Sequence, residues 1–126
     1  INTCIMIDFT GQVASESIGI EQYSGTGGQS DTAVGATEGF DGKGKSIIAC
    51  RSTAKRGTIS TIVPVLPAGT GVTLHRSNTD YVVTEHGSVR LTGLTVRERT
   101  EALISIAHPD FREELTRQAR EMGYIF

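Results

Sequence analysis

Cysteine is scarce in this chain. Cys4 and Cys50 are the only two in 126 residues, far apart and each set among β-branched or aliphatic neighbours. Both read as small buried thiols in a reducing compartment, not as part of a disulfide framework. No stretch approaches the ~18 consecutive apolar residues of a membrane-spanning helix, and the N-terminus lacks a charged-then-apolar leader. No membrane partner is therefore expected, and a cytoplasmic location is. Positive charge is not concentrated either. Twelve Lys and Arg stand against fourteen Asp and Glu, giving a formal net charge of −2 with no basic run, so no nucleic-acid partner is expected. His75, His86 and His108 have neither the mutual spacing nor the Cys or Asp neighbours that would give a metal three or four ligands, and no metal is expected. The Gly-x-Ser-x-Gly elbow is absent, as are internal repeats and low-complexity segments.

What the chain does contain is one domain's worth of sequence, long enough to bury a core without metal or disulfide staples. Adding 15 Gly to the 37% hydrophobic fraction places it in the globular range, which argues against disorder. Asn2 to Phe9 alternates and predicts a strand, with a second extended piece around Val13 to Ile20. Gln29 to Glu38 predicts a short helix. Strands are predicted over Lys45 to Cys50, Thr58 to Leu66, Val72 to Leu74 and Asp80 to Thr84. Thr95 to Glu98 is a capping box, opening a helix with Ala102, Leu103 and Ile106 on one face. Pro109 starts another, with Phe111, Leu115, Ala119 and Met122 on one stripe before Gly123 stops it. The expected fold is α/β: a layered domain, with an open, mostly parallel or mixed sheet flanked by helices and two helices at the C-terminus.

Chemistry concentrates in the run from Ser24 to Asp31. Gly25, Gly27 and Gly28 put three glycines in four positions, which permits positive φ and lets a ligand reach main-chain N–H groups without a Cβ in the way. That is how an anion or oxyanion cradle is built, although a glycine-rich surface turn has the same composition. Gly39 to Ser46 matches a nucleotide-binding phosphate loop literally. The match is rejected because such a loop leaves a strand and enters a helix, whereas here a strand follows the motif. Lys55 and Arg56 lie in a turn between strands, either as solvated loop charges or as cations for the phosphates of a bound cofactor. Glu85 closes the strand Asp80 to Thr84, at the carboxyl edge where open α/β sheets bind ligands; a solvated strand-end charge is the alternative.

Seven blocks together carry a resemblance. They are Gly11-Gln12-Val13, Ser24 to Asp31, Lys45 to Ala49, Ser52 to Lys55, Ile62-Val63-Pro64, Asp80 to Gly87 and Ala107 to Arg112. In order and spacing they resemble the C-terminal domain of the acetyl-CoA hydrolase/transferase family, whose relatives include 4-hydroxybutyrate, succinyl and butyrate CoA-transferases. The likeness spans nearly the whole chain.

The resemblance implies a class I CoA-transferase of the acyl-CoA:carboxylate, 4-hydroxybutyrate type, with coenzyme A as part of the substrate and no metal. In that mechanism a glutamate attacks the thioester to form an acyl-glutamyl anhydride. The CoA thiolate returns to give a glutamyl-CoA thioester, and a second carboxylate then takes the CoA. Each step passes through a tetrahedral oxyanion. The family's Gly-x-Gly-Gly maps onto Gly25 to Gly28, which assigns the oxyanion donor to Gly27, with Gly25, Gly28 and Lys55 on CoA. The family's Val-Thr-Glu block places Glu85 near the acyl or carboxylate pocket, where it positions the incoming acid. His86 stands where relatives often carry an aromatic or amide residue. The family's nucleophilic glutamate lies many tens of residues upstream of the glycine loop, and Glu16 and Glu21 are too close to be it. The expectation, with which the Ile1 start agrees, is a single domain over 1–126 excised from a longer two-domain enzyme. It would work with an N-terminal domain of the same protein in a homo-oligomer and be inactive alone. An acyl-CoA hydrolase of the same family, or a non-catalytic CoA-binding or assembly module, are the alternatives.

Overall fold

A computed structural model describes residues 1–126. Its strands are β1 (Asn2–Thr3), β2 (Met6–Asp8), β3 (Val13–Ala14), β4 (Ser17–Ile18), β5 (Glu21–Gln22), β6 (Ile47–Ala49), β7 (Thr53–Ala54), β8 (Ile59–Ser60), β9 (Ile62–Val63), β10 (Tyr81–Thr84) and β11 (Gly87–Arg90). The helices are α1 (Gln29–Thr37), α2 (Val96–Ser105) and α3 (Pro109–Glu121). Four strands form a mixed sheet in the order β1-β6-β10-β11, parallel except for the antiparallel β10–β11 hairpin. A second sheet runs β3-β2-β9, and β4–β5 and β7–β8 are separate hairpins. The fold is thus mixed α/β, with the two long helices at the C-terminus as expected.

The strand expected over Asn2 to Phe9 is two strands. Thr3 pairs with Ala49 in the first sheet, while Ile7 pairs with Val13 and Ile62 in the second, so the chain changes sheets at Cys4 and Ile5. Thr58 to Leu66 likewise divides: β8 closes a hairpin on β7, and β9 joins β2. Val72 to Leu74 contributes only a single bridge, Leu74 to Val13. Period-two alternation marks extended backbone but cannot say which partner each half will find.

Both sheets close on one aliphatic core in which Ile7, Phe9, Val13, Ile48, Ile62, Leu74, Val82, Leu91 and Leu103 are completely buried. Each such side chain stabilises the fold by about 1.5–3 kcal/mol relative to exposure. α2 is opened by the expected capping box: the Glu98 N–H donates to Thr95 Oγ1 at 3.2 Å and the Thr95 N–H to Glu98 Oε2 at 2.8 Å. Leu103 and Ile104 face inward from α2, and Leu115 and Ala119 from α3. Arg99 ties α2 to the loops beneath it, donating from Nη1 to the carbonyls of Thr10 (2.9 Å) and Arg76 (2.7 Å).

α1 has little apolar face, burying only Gln29 and Ala33, and is held by polar contacts instead. Gln29 Nε2 donates to the Thr3 carbonyl at 2.7 Å and Ser15 Oγ donates to Gln29 Oε1 at 2.9 Å. After α1 the chain crosses Gly39 to Lys45 into β6. A Cβ on Gly44 would sit 1.8 Å from the Ala36 carbonyl oxygen, so only glycine allows this return. The order helix, loop, strand is the reverse of a phosphate-binding loop, as the rejection of Gly39 to Ser46 requires.

Candidate functional site

The glycine loop is held from behind and open in front. Glu16 does the holding: its carbonyl accepts from the N–H groups of Tyr23 (2.8 Å) and Ser24 (3.1 Å). Its carboxylate accepts from the hydroxyls of Thr26 (3.2 Å) and Thr73 (2.9 Å). Beyond Ser24 the pattern changes, because none of the N–H groups of Gly25, Thr26, Gly27 or Gly28 donates to any group of the chain. Gly27 adopts φ +60°, the left-handed region that favours glycine. Gly28 is the N-cap of α1, which has no side-chain cap, so the first-turn amides of the helix are also left without a capping acceptor.

These residues line a cavity of about 640 Å³ together with Asn2, Thr3, Cys4, Ile5 and Ser15. A Cβ built on Gly25, Gly27 or Gly28 would meet nothing within 4 Å. Packing within the chain therefore does not require glycine at 25 or 28. Four main-chain donors without a partner in the chain, on exposed residues of which only Thr26 carries a Cβ, stand beside an uncapped helix N-terminus and form a surface suited to a negative oxygen.

Glu85 lies in the tight turn between β10 and β11, a hairpin that the sequence reading did not include. Ser52, completely buried after β6, donates its N–H to Glu85 Oε1 at 2.9 Å and its hydroxyl to the same oxygen. The Ser52 hydroxyl is the main cause that holds the Glu85 carboxyl below its ordinary range, against a smaller upward push from burial. Its side chain remains 49% exposed, and His86 Nε2 stands 3.5 Å from Oε1. The His86 ring in turn packs edge-on against His108, with centroids 5.2 Å apart. Thr84 anchors the turn: its hydroxyl donates to the Ile106 carbonyl at the end of α2 and accepts from the His86 N–H.

Glu85 lines a second cavity, of about 600 Å³, with Cys50, Arg51, Thr53, Ala54 and Thr61. Thr3, Cys4 and Ile5 belong to the walls of both cavities, so the sheet-switching segment is a partition with the glycine loop on one side and Glu85 on the other. Gly25, Gly27 and Gly28 are brought together as expected. Glu85 is their neighbour across that partition. Lys55 borders neither cavity. It sits at the tip of the β7–β8 hairpin, where Lys55 (φ 48°) and Arg56 (φ 56°) both occupy the left-handed region and neither makes an ion pair.

Two contributors were not visible in the sequence. Ser52 reads as one serine in a turn, and Glu16 as a solvated acid; nothing local indicates that the first fixes Glu85 or that the second fixes the glycine loop.

The profile of the acetyl-CoA hydrolase/transferase C-terminal domain matches residues 1–119. The chain is 53% identical over 99% of its length to a succinyl-CoA:cyclohexane-1-carboxylate CoA transferase of Geobacter metallireducens, covering 28% of that protein. It is 50% identical over 96% of its length to a 4-hydroxybutyrate coenzyme A transferase of Clostridium kluyveri, again covering 28%. Among solved structures, RipA from Yersinia pestis superposes with a TM-score of 0.88 at 47% identity, over 98% of this chain and 27% of that one. The chain thus spans little more than a quarter of the length of these relatives.

Proposed function

The chain belongs to the acetyl-CoA hydrolase/transferase family, as its C-terminal domain, and on that premise we propose that it supplies the oxyanion cradle and part of the CoA and acyl pocket of an acyl-CoA:carboxylate CoA-transferase. One observation carries the reading: the N–H groups of Gly25 to Gly28 have no partner within the chain and border a cavity on which Gly25, Gly27 and Gly28 present no Cβ. All four residues are exposed, so in this domain by itself water reaches their N–H groups, and an oxygen of the substrate would take the place of that water. In a thioester exchange that oxygen is the one that becomes negative when the carbonyl carbon turns tetrahedral. Donors already in place there lower the barrier without having to reorganise.

The attacking carboxylate comes from a segment N-terminal to this domain in the complete protein. Gly27, whose left-handed backbone turns its amide relative to its neighbours, serves as the principal donor. Gly25 and Gly28 keep the approach to CoA clear. Lys55, with Arg56 beside it and free of acidic partners, takes a phosphate of the CoA. Glu85 selects the acid. Oriented by Ser52, it acts by charge at the edge of a partly apolar cavity, where it positions the incoming acid.

Incubating the complete protein with an acyl-CoA and searching by mass spectrometry for a CoA adduct on a glutamate upstream of this domain tests the assignment. Trapped adduct whose formation slows in Gly27→Ala supports it. Absence of any adduct while thioester is consumed removes the covalent mechanism, and an adduct formed at an unchanged rate in the variant removes the loop from it. Following CoA transfer to an added carboxylate against release of free CoA separates transferase from hydrolase.

A further inference from the structure

Cys4 and Cys50 lie in two different stretches of sequence but at one place in the fold. β1 and β6 are parallel neighbours in the register Asn2 with Ile48 and Thr3 with Ala49, and one step further brings Cys4 beside Cys50. In a parallel pair, residues in register project to the same face. Strands lie about 4.8 Å apart, which falls inside the Cα separation of about 4.4–6.8 Å that a disulfide spans. The backbone on both sides is fixed: the Ile5 N–H donates to the Ala14 carbonyl at 2.8 Å and the Cys50 N–H to the Val83 carbonyl at 3.0 Å. Both thiols are free and only half-buried, and both line the cavity that holds Glu85.

We infer that Cys4 and Cys50 form a dithiol site that reacts with low-molecular-weight thiol disulfides and closes to an intramolecular disulfide joining the ends of β1 and β6. The reading of both as inert structural thiols gives way because each opens on a cavity and each has the other as its partner. The order of attack follows from their surroundings. The Cys4 thiol interacts with Cys50 and favours the Cys50 thiolate, with Thr61 adding to this, while burial and Glu85 oppose it; Cys4 itself is held protonated. Cys50 is therefore the attacking group and Cys4 the resolving one.

In the first step Cys50 Sγ attacks one sulfur of the small disulfide. A protein–small-thiol disulfide forms, the original S–S bond breaks, and the departing thiolate takes up the proton lost by Cys50. In the second step Cys4 Sγ attacks Cys50 Sγ and expels the other small thiolate, which takes the proton of Cys4. Two protein thiols are oxidised and one small disulfide is reduced to two thiols. The product ties the partition segment Thr3 to Ile5 covalently to the wall of the Glu85 cavity.

The test uses the complete protein carrying this domain, treated with glutathione disulfide, quenched in acid, alkylated and digested with trypsin. Cys50 falls in the peptide Ser46–Arg51 and Cys4 in a peptide ending at Lys43. The expected product is these two peptides cross-linked, lighter by two hydrogens than their sum and lost on reduction with dithiothreitol. In Cys4→Ser a glutathione adduct accumulates on Cys50, and in Cys50→Ser no cross-link forms. Recovery of both thiols as alkylated peptides from the treated protein overturns the inference. So does a persistent glutathione adduct on Cys50 with Cys4 still free. Neither result bears on the oxyanion reading, because the glycine loop contains no cysteine.

Discussion

Ser52 and Glu85, separated by 33 residues, are joined twice at one oxygen: the Ser52 N–H and the Ser52 hydroxyl both donate to Glu85 Oε1. A wholly buried serine thereby fixes the orientation of a carboxylate that is half in solvent and lowers its pKa. Removing the hydroxyl in Ser52→Ala should raise the Glu85 pKa toward the ordinary value of about 4.3, read by a carbon-13 carboxyl titration. The folded-state pKa is the depressed one, so the stabilisation from this contact is present above the unfolded-state value. It is lost as pH falls through the folded one, and solvent screening keeps it small. An unchanged titration in the variant would show that the backbone N–H alone does the holding.

Gly25 and Gly27 should respond differently to alanine. At Gly25 a methyl group meets nothing and φ is not positive, so Gly25→Ala should leave the unfolding free energy within about 0.5 kcal/mol of the original. It should nonetheless weaken CoA-substrate binding by occupying the cleared approach. Gly27→Ala should cost about 1–2 kcal/mol of stability through its left-handed φ. Its turnover should fall far more than its affinity for CoA, on the order of 10²-fold. Wild-type kinetics in both would leave the unpaired amides without a role in the reaction.

Glu85→Gln keeps the size of the side chain and removes its charge. The ratio of kcat/KM for a dicarboxylate acceptor to that for a monocarboxylate should rise by up to about fivefold, as expected for losing ~1 kcal/mol of like-charge repulsion. A ratio that does not move across a series of acids would take acid selection away from this residue.

Asp8 is a structural counterpart to Glu85. It is 3% exposed and accepts from the N–H and hydroxyl of Thr10 and from the N–H and side-chain amide of Gln12. Asp8→Ala leaves buried donors without an acceptor, and each costs about 1–3 kcal/mol. A loss of roughly 2–4 kcal/mol is expected by thermal or urea unfolding. A smaller loss would mean that water enters to replace the carboxylate.

The elements that were legible in the sequence are those specified by neighbours in the chain. Thr95 and Glu98 cap α2 because the two partners are three residues apart, and Pro109 and Gly123 bound α3 through backbone preferences of their own. Gly25 to Gly28 declared an amide-lined loop because freedom from Cβ is a property of the residues themselves. The hairpin of β10 and β11 was not legible, since Gly87 to Arg90 has neither a continuous apolar run nor strong β propensity. It forms because β10 is pinned against β6, which leaves its other edge free for Gly87 to Arg90 to pair with.

By itself the sequence determined the class of fold, the caps and stripes of the two C-terminal helices, and the presence of a glycine-rich loop before α1, because each depends on residue type and short spacing. Only the tertiary structure decided that the first predicted strand serves two sheets, that its break at Cys4 and Ile5 forms the partition between two cavities, and that Ser52 holds the Glu85 carboxylate by two hydrogen bonds. These relationships join residues tens of positions apart. What joins them is which strand lies beside which, and that is settled by the whole core closing at once rather than by any local run of residues.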